Sequence, residues 1–294
     1  NFQNYSIIIF NSAANDLLAM VLHFLLNARL FINGATVAHM ANGPCRIFTD
    51  FVCQTSFELM HYTVVQACSI IAISFWYRNR ILHSKSPIGW LQLQALMIMF
   101  CVPYIPHFIL SIYVLRPREI LEPFIIEIYG VGHSEDYAVF GFPDASEPWS
   151  MFTIGYVLVF PSLLYSYIFF TRRTVLRVLS ANANKMCSKT REMHNSLVKV
   201  LSIHALLPSC VIVGFILMFL QMTNYYHSVQ VETLEYTIVV IPAIVNPILT
   251  LYFIRPYKTF VEKFIPFKIP YSTKSKMVEV SSTNRTASIS ISQY

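Results

Sequence analysis

Six long apolar stretches constrain what this chain can fold into more than any other feature of its sequence. They cover approximately residues 5–26, 52–76, 90–115, 150–171, 200–220 and 233–254. Each reaches the ~20 residues that an α-helix needs to cross about 30 Å of hydrocarbon. Helices on the surface of soluble proteins carry a polar face, and these stretches have almost none. We therefore expect an all-α membrane protein with a helix bundle over residues 1–254.

The composition supports a membrane location. The chain is 55% hydrophobic and only 12% charged, whereas soluble domains carry about 25% charged residues. Its net charge of +6 comes from residues at the ends of the apolar stretches, where basic groups set orientation. We therefore expect the lipid bilayer as a partner and no binding of nucleic acid.

The basic residues predict which loops face the cytoplasm. Seventeen of the 21 Lys and Arg lie in the connections 77–89 and 172–199 and in the tail 255–294, whereas loop 116–149 carries seven acidic residues. The positive-inside rule places loop 172–199 and the C-terminus in the cytoplasm. Six spans would then put the N-terminus inside as well. We expect helices two to seven of a seven-helix bundle with one helix preceding them; the alternative is a true six-helix protein.

Polar groups inside the apolar stretches are candidates for function, because burying them in a membrane is costly. Asp16 is the strongest, since a carboxylate at mid-depth must be paired or protonated. Each of the others is also explained by one hydrogen bond to a neighbouring helix. This set comprises Asn11, Asn15, Gln54, Glu58, His61, Gln66, His107, His204 and Glu235.

Cysteine and histidine spacing gives no sign of a metal site. The sequence contains no Cys-x-x-Cys or His-x-x-x-His pair, so we expect no metal, no cofactor and no enzymatic activity. Cys45 and Cys53 are eight residues apart, which is about 12 Å along a continuous helix. A disulfide between them requires the chain to bend.

Several motifs, taken in order, resemble a known family. The segment from Asn11 to Leu18, with Asp16 before a Leu pair, resembles the second helix of rhodopsin-like receptors, and the segment from Asn246 to Tyr252 resembles their seventh. Together with four further segments, they resemble the nematode serpentine chemoreceptors, class delta of the str superfamily. Those segments are Gly43–Arg46, Tyr77–Arg78, Met193–Pro208 and Tyr252–Tyr257.

The resemblance implies a seven-transmembrane G-protein-coupled chemosensory receptor in the plasma membrane of sensory cilia. It implies that Asp16 and Asn246 meet in a central polar site and that Arg78 engages a heterotrimeric G protein. The sequence departs from the rhodopsin-like pattern at Tyr77, where an acid would precede Arg78, and at Leu206, where a Trp is usual. Loop 116–149 also lacks a Cys, so Cys45 cannot form the usual bridge to it.

We expect a small-molecule ligand in the outer half of the bundle and a G protein at the cytoplasmic end. The ligand-binding candidates are Glu58, His61, Tyr62, Gln221, Tyr225 and Tyr236. The basic loop is also explained by topology and by attraction to anionic lipid alone. The candidates for G-protein contact are Arg78, Arg172, Arg173, Lys189 and Arg191.

A transporter or channel is the alternative function, with a cation or proton path through Asp16, Glu58 and His61. The sequence shows no internal repeat, which many transporters have. The tail 255–294 is rich in Ser and Thr, which indicates disorder; it is either a site of phosphorylation or simply solvated. Asn4 and Asn284 lie in sequons on the cytoplasmic side, so we expect neither to carry a glycan.

Overall fold

The computed structural model describes residues 2–83, 88–129, 136–182, 202–207, 209–223, 228–253 and 259. Predicted features of Tyr225, Lys189, Arg191 and the tail lie outside these ranges, apart from residue 259. The helices are α1 (Phe2–Leu26), α2 (Asp50–His83), α3 (Trp90–Cys101), α4 (Tyr104–Val114), α5 (Arg118–Tyr129), α6 (Pro148–Asn182), α7 (Ser209–Met222) and α8 (Val229–Phe253).

Six helical segments among the described residues are long and apolar enough to cross a membrane, and the predicted fold class is confirmed. They are Ser6–Leu26, Asp50–Ile81, Trp90–Val114, Pro148–Val178, Ser202–Met222 and Val229–Phe253. The most apolar part of α2 is 56% buried, against 22–28% in the other five. α2 is therefore the helix with the most neighbours, while the others turn most of their side chains outward.

Proline divides the third apolar stretch into two helices. α3 ends at Cys101 and α4 begins at Tyr104, with Pro103 between them. Pro103 has no N–H to donate and its ring displaces the preceding turn. By contrast, Pro161 lies within α6, and Pro242 and Pro247 lie within α8, without ending either helix.

A four-stranded antiparallel sheet covers one end of the bundle and was not predicted from the sequence. Its strands are β1 (Ala28–Asn33), β2 (Thr36–Ala41), β3 (Arg116–Pro117) and β4 (Ala138–Phe142), in the order β1-β2-β4-β3. We call this end of the molecule the sheet end. The turn between β1 and β2 is tight, and Gly34 takes a positive φ of 58° there, a conformation that glycine adopts without strain.

The sheet lies between a helix and the bundle, with apolar side chains on both faces. On one face, Phe31 and Met40 pack against Leu121 and Ile125 of α5. The other face packs on α2 and α8; its contacts include Leu30, Val37, Phe140, Phe142, Phe57 and Tyr236. Both faces of the sheet are therefore buried, and the sheet forms a layer between α5 and the bundle.

A disulfide ties the hairpin to α2. A short 3₁₀ helix at Pro44–Ile47 bends the chain before α2 begins at Asp50. The bend brings Cys45 and Cys53 to a Cα–Cα distance of 5.0 Å, and their sulfurs are bonded. The bend that such a bridge requires is therefore present.

Candidate functional site

A cavity of ≈ 120 Å³ lies between the sheet and the helices. Its walls come from three strands and five helices, because the inward face of the sheet lies over the ends of α2, α4, α6, α7 and α8. Most of the wall is apolar, with Leu30, Phe57, Met60 and Phe215 as examples. Ligand sites commonly combine such walls with a few placed polar groups.

One cluster of polar side chains in the wall centres on Glu58, whose side chain is 1% exposed. Tyr104 donates hydrogen bonds to the Glu58 carbonyl and, at 3.3 Å, to its Oε2. His107 Nδ1 lies 3.8 Å from the same oxygen, while its Nε2 is 3.3 Å from the Thr153 carbonyl. The Glu58 carboxyl group therefore already has partners within the protein.

A second cluster, formed around His39 and Tyr236, joins the sheet to α8. His39 Nδ1 and Tyr236 Oη form a hydrogen bond of 2.5 Å, and Phe57 packs against the His39 ring with centroids 4.1 Å apart. Burial holds the pKa of His39 well below its ordinary value of 6.5, and the nearby His61 lowers this pKa further. His39 is therefore neutral at pH 7, because burial disfavours the charged form of its ring.

In a third cluster of polar side chains, some buried atoms have no hydrogen-bond partner among the described residues. Gln221 Nε2 donates a hydrogen bond of 2.9 Å to Glu235 Oε1. Glu235 is 5% exposed, and its Oε2 is buried with no hydrogen-bond partner among the described residues. His61 also lines the cavity, and its Nδ1 is likewise buried without a hydrogen-bond partner among the described residues. A ligand is one way to satisfy such groups.

The predicted ligand-binding residues divide between the cavity and its surroundings. Glu58, His61 and Tyr236 line it, and Gln221 supports it through Glu235. Tyr62 does not line it: its Oη lies 3.1 Å from Cys101 Sγ. One step along a helix rotates the side chain by about 100°, so Tyr62 faces α3 although His61 faces the cavity.

Neither His39 nor the strands that cover the cavity were predicted from the sequence. The dipeptide Asn33-Gly34 was the available signal, since Asn-Gly between apolar segments is typical of a tight hairpin. Glu235 was noted as a polar residue near a helix end but was not assigned to the ligand site.

Asp16 and Asn246 meet at the centre of the bundle. Asn246 Nδ2 donates hydrogen bonds of 2.6 Å to Asp16 Oδ2 and 2.8 Å to Ser12 Oγ. These three side chains line a second, smaller cavity of ≈ 40 Å³. Val64, Val211 and Val239 line both cavities, so the wall between the ligand cavity and the central polar site is apolar.

Three of the predicted G-protein contacts, Arg78, Arg172 and Arg173, are among the described residues and lie at the opposite end from the sheet. Arg78 is in the last turns of α2. Arg172 Nε donates a hydrogen bond of 3.2 Å to Ser202 Oγ, and the Arg173 guanidinium lies 4.2 Å from the centre of the Phe169 ring. Within the described residues, no group of three His, Cys, Asp or Glu is placed to hold a metal ion.

Comparison with known proteins identifies the class of protein: the helix bundle belongs to a multi-pass chemoreceptor of the G-protein-coupled type. Residues 1–263 match the family model described as serpentine type 7TM GPCR chemoreceptor Srd. The chain belongs to the Srd family, and the resemblance seen in its motifs is confirmed. This is a family of receptors and not of enzymes.

Three relatives from Caenorhabditis elegans illustrate the similarity. Serpentine receptor class delta-18 is 27% identical over 93% of this chain and 82% of its own length. Serpentine receptor class delta-19 is 24% identical over 91% and 80%, and class delta-50 is 26% identical over 78% and 68%. No solved structure matches the chain.

Proposed function

We propose that the chain is a chemosensory receptor that binds a small ligand in the cavity beneath the sheet and signals through a heterotrimeric G protein at the opposite end. It would reside in the plasma membrane, in a sensory cilium, with a cytoplasmic C-terminus. The observation that carries the proposal is the cavity itself, which has mostly apolar walls, lies beneath the sheet and is lined by Glu235 and His61, each with a buried polar atom that has no hydrogen-bond partner among the described residues.

The route for a signal starts at the valine wall. Val211 on α7 and Val239 on α8 contact both the ligand cavity and the central polar site. A ligand that displaces either valine acts on the Asp16–Asn246 pair as well. Binding would then shift the receptor between two arrangements, provided that the ligand prefers one of them.

The proposed G-protein surface rests on Arg78, Arg172 and Arg173 at the end opposite the sheet. The basic residues on this side have a second explanation in membrane topology and anionic lipid. Lys189 and Arg191 would add to the same surface.

The transporter alternative requires a continuous polar path through Asp16, Glu58 and His61. Asp16 lies in the central polar site, whereas Glu58 and His61 lie in the ligand cavity. The wall that the two cavities share is made of three valines, which offer an ion no ligands. Family membership also favours the receptor.

Filling the cavity tests the proposed ligand site. A side-chain carbon added at Gly214 would lie 3.3 Å from Val239 Cγ2, and Gly214 is part of the cavity wall. Gly155 on α6 is the matched control, because nothing lies within 4 Å of an added carbon there. The full chain would be expressed with a G protein and screened against a panel of small volatile compounds by nucleotide exchange.

Gly214→Leu should abolish the agonist response at unchanged surface expression, and Gly155→Leu should keep it. A wild-type response that survives Gly214→Leu with the same concentration dependence would place the ligand elsewhere.

The G-protein end is tested at Arg78. Arg78→Ala should lower agonist-driven nucleotide exchange while leaving ligand binding unchanged. Arg80→Ala is the control, since Arg80 is on the same helix but lies over the Trp76 ring. Unchanged exchange in Arg78→Ala would remove Arg78 from the mechanism.

A further inference from the structure

We propose that the ligand is a protonated amine on a small apolar or aromatic body and that Glu235 binds its ammonium group. This inference rests on the proposed function, because it names the chemical class of molecule that the cavity beneath the sheet receives. It draws on three observations: the charged residues of the wall, a Glu235 oxygen without a hydrogen-bond partner among the described residues, and the size of the cavity.

The composition of the wall disfavours anionic ligands. Among the described residues that line the cavity, two are acidic, Glu58 and Glu235, and none is Lys or Arg. The wall also contains three histidines, His39, His61 and His107. Among the described residues, the shortest distance from these rings to a carboxylate oxygen is the 3.8 Å between His107 Nδ1 and Glu58 Oε2. A carboxylate ligand would therefore find no Lys or Arg in this wall to pair with its charge.

Glu235 is the acidic residue with capacity for a ligand. Glu58 Oε2 already receives the Tyr104 hydroxyl and lies near His107. Glu235 has one oxygen held by Gln221 and a second that is buried without a partner in the described part of the chain. An ammonium group on a ligand would supply both the missing hydrogen bond and the missing positive charge.

The size and walls of the cavity define the rest of the molecule. A cavity of about 150 Å³ lined by apolar side chains is known to hold benzene, and this one measures ≈ 120 Å³. Phe57, Phe215 and Tyr236 offer aromatic faces, which attract a cation as well as an apolar ring. The body attached to the amine is therefore about the size of one aromatic ring or a short branched alkyl chain.

Three probes of nearly equal size test the class of ligand: benzylamine, benzyl alcohol and benzoic acid. Each is titrated against the purified full chain in lipid nanodiscs at neutral pH, and binding is followed by ligand-observed NMR. We expect benzylamine to bind at least about tenfold more tightly than benzyl alcohol, as a charge-assisted hydrogen bond between ammonium and carboxylate implies. Benzoic acid should show no saturable binding.

Variants then assign the effect to Glu235. Glu235→Gln should remove the preference, leaving benzylamine and benzyl alcohol within about twofold of each other. Glu232→Gln is the matched control, because Glu232 is on the same helix, is 2% exposed and lies outside the cavity wall; it should keep the preference. The wild-type ranking tests the proposal by itself if Glu235→Gln fails to fold.

The outcomes separate the two proposals. Equal binding of amine and alcohol that Gly214→Leu abolishes would overturn the ligand class and leave the ligand site standing. Amine binding that Gly214→Leu does not change would overturn the cavity as the ligand site and this inference with it. No saturable binding of any probe would overturn the ligand class, while the agonist screen with Gly214→Leu would still decide the ligand site. A preference for amine that persists in Glu235→Gln would remove Glu235 from the inference.

Discussion

Asp16 is 4% exposed and accepts a hydrogen bond from Asn246, which links α1 to α8 across 230 residues of sequence. It is one of several side-chain hydrogen bonds that join helices of the bundle, alongside Tyr104–Glu58 and Gln221–Glu235. If either partner is truncated, the other is left buried with its polar atoms unpaired, which costs about 1–3 kcal/mol.

A double-mutant cycle measures this pairing. Asp16→Ala and Asn246→Ala should each destabilise the receptor by about 1–3 kcal/mol, and the double variant should lose at least about 0.5 kcal/mol less than their sum, because the second truncation removes a bond already broken. The measurement is unfolding of the purified receptor in detergent.

Asn11→Ala is the control for this cycle, because the Asn11 amide bonds the Ile7 carbonyl of its own helix. Its effect should add to that of Asp16→Ala within about 0.5 kcal/mol. Full additivity between Asp16 and Asn246 would mean that their hydrogen bond contributes nothing to stability.

His39 makes the stability of the sheet end depend on pH. Its pKa is well below the ordinary value of 6.5 because it is buried and because His61 is near. The unfolded chain therefore binds a proton below about pH 6.5 that the folded chain does not, and stability falls as pH decreases through that value. Glu58, Glu235 and Tyr236 also face this region.

Replacing His39 should flatten the pH dependence. We expect His39→Gln to reduce the slope of unfolding free energy between about pH 6.5 and 5 by up to about 1.4 kcal/mol per pH unit. His83→Gln removes an exposed histidine at the far end of α2 and should leave the slope unchanged. A His39→Gln slope equal to that of the wild type would contradict the assignment.

At the scale of elements, Gly141 is the residue on which the sheet depends. It pairs with Ala38 of β2 and with Arg116 of β3, at a φ of 159°. A side-chain carbon there would lie 2.2 Å from the Val37 carbonyl oxygen, which no rotamer relieves because the obstacle is backbone.

Gly141→Ala should therefore disrupt the sheet, whereas Gly34→Ala should cost only about 1 kcal/mol. The hairpin glycine has a positive φ of 58° but open space around it, so the substitution there meets strain without a clash. Hydrogen exchange over residues 28–41 and 138–142 is the measurement. Equal protection in Gly141→Ala and the wild type would show that the sheet tolerates the added carbon.

The helices could be predicted from the sequence because membrane helices require long apolar runs, and the break between α3 and α4 follows from Pro103. The sheet could not be predicted in the same way. The strands are buried on both faces, so they lack the alternation that marks a half-buried strand. The pairing of β2 with β4 also joins residues about 100 positions apart, which no local pattern reports.

Polar residues inside apolar stretches pointed to Asp16, Glu58 and His61, because burying them demands a reason, whereas Asn246 was identified through the resemblance of its motif to the seventh helix of rhodopsin-like receptors. His39 gave no such signal, since it lies in a segment that reads as a loop until the sheet is known. Tyr62 was placed in the ligand site although it faces α3, because sequence spacing does not determine which face of α2 meets which neighbour.

For the whole molecule, the sheet end and the basic end define its orientation. The loops of the sheet end carry four of the 21 Lys and Arg, so the positive-inside rule predicts that this end faces the outside of the cell. A short epitope inserted between Ser146 and Glu147, both exposed, should bind antibody on intact cells, and one at the C-terminus should bind only after permeabilisation. The reverse pattern would invert the receptor and the proposed ligand and G-protein ends with it.

The central claim is that the cavity beneath the sheet is the ligand site. The most direct test is a cryo-electron microscopy map of the purified receptor bound to the strongest agonist from the nucleotide-exchange screen. We predict ligand density bounded by Phe57, Gly214 and Tyr236. Density instead at the Asp16–Asn246 pair, or on the lipid-facing surface of the helices with the cavity beneath the sheet unfilled, would contradict the account.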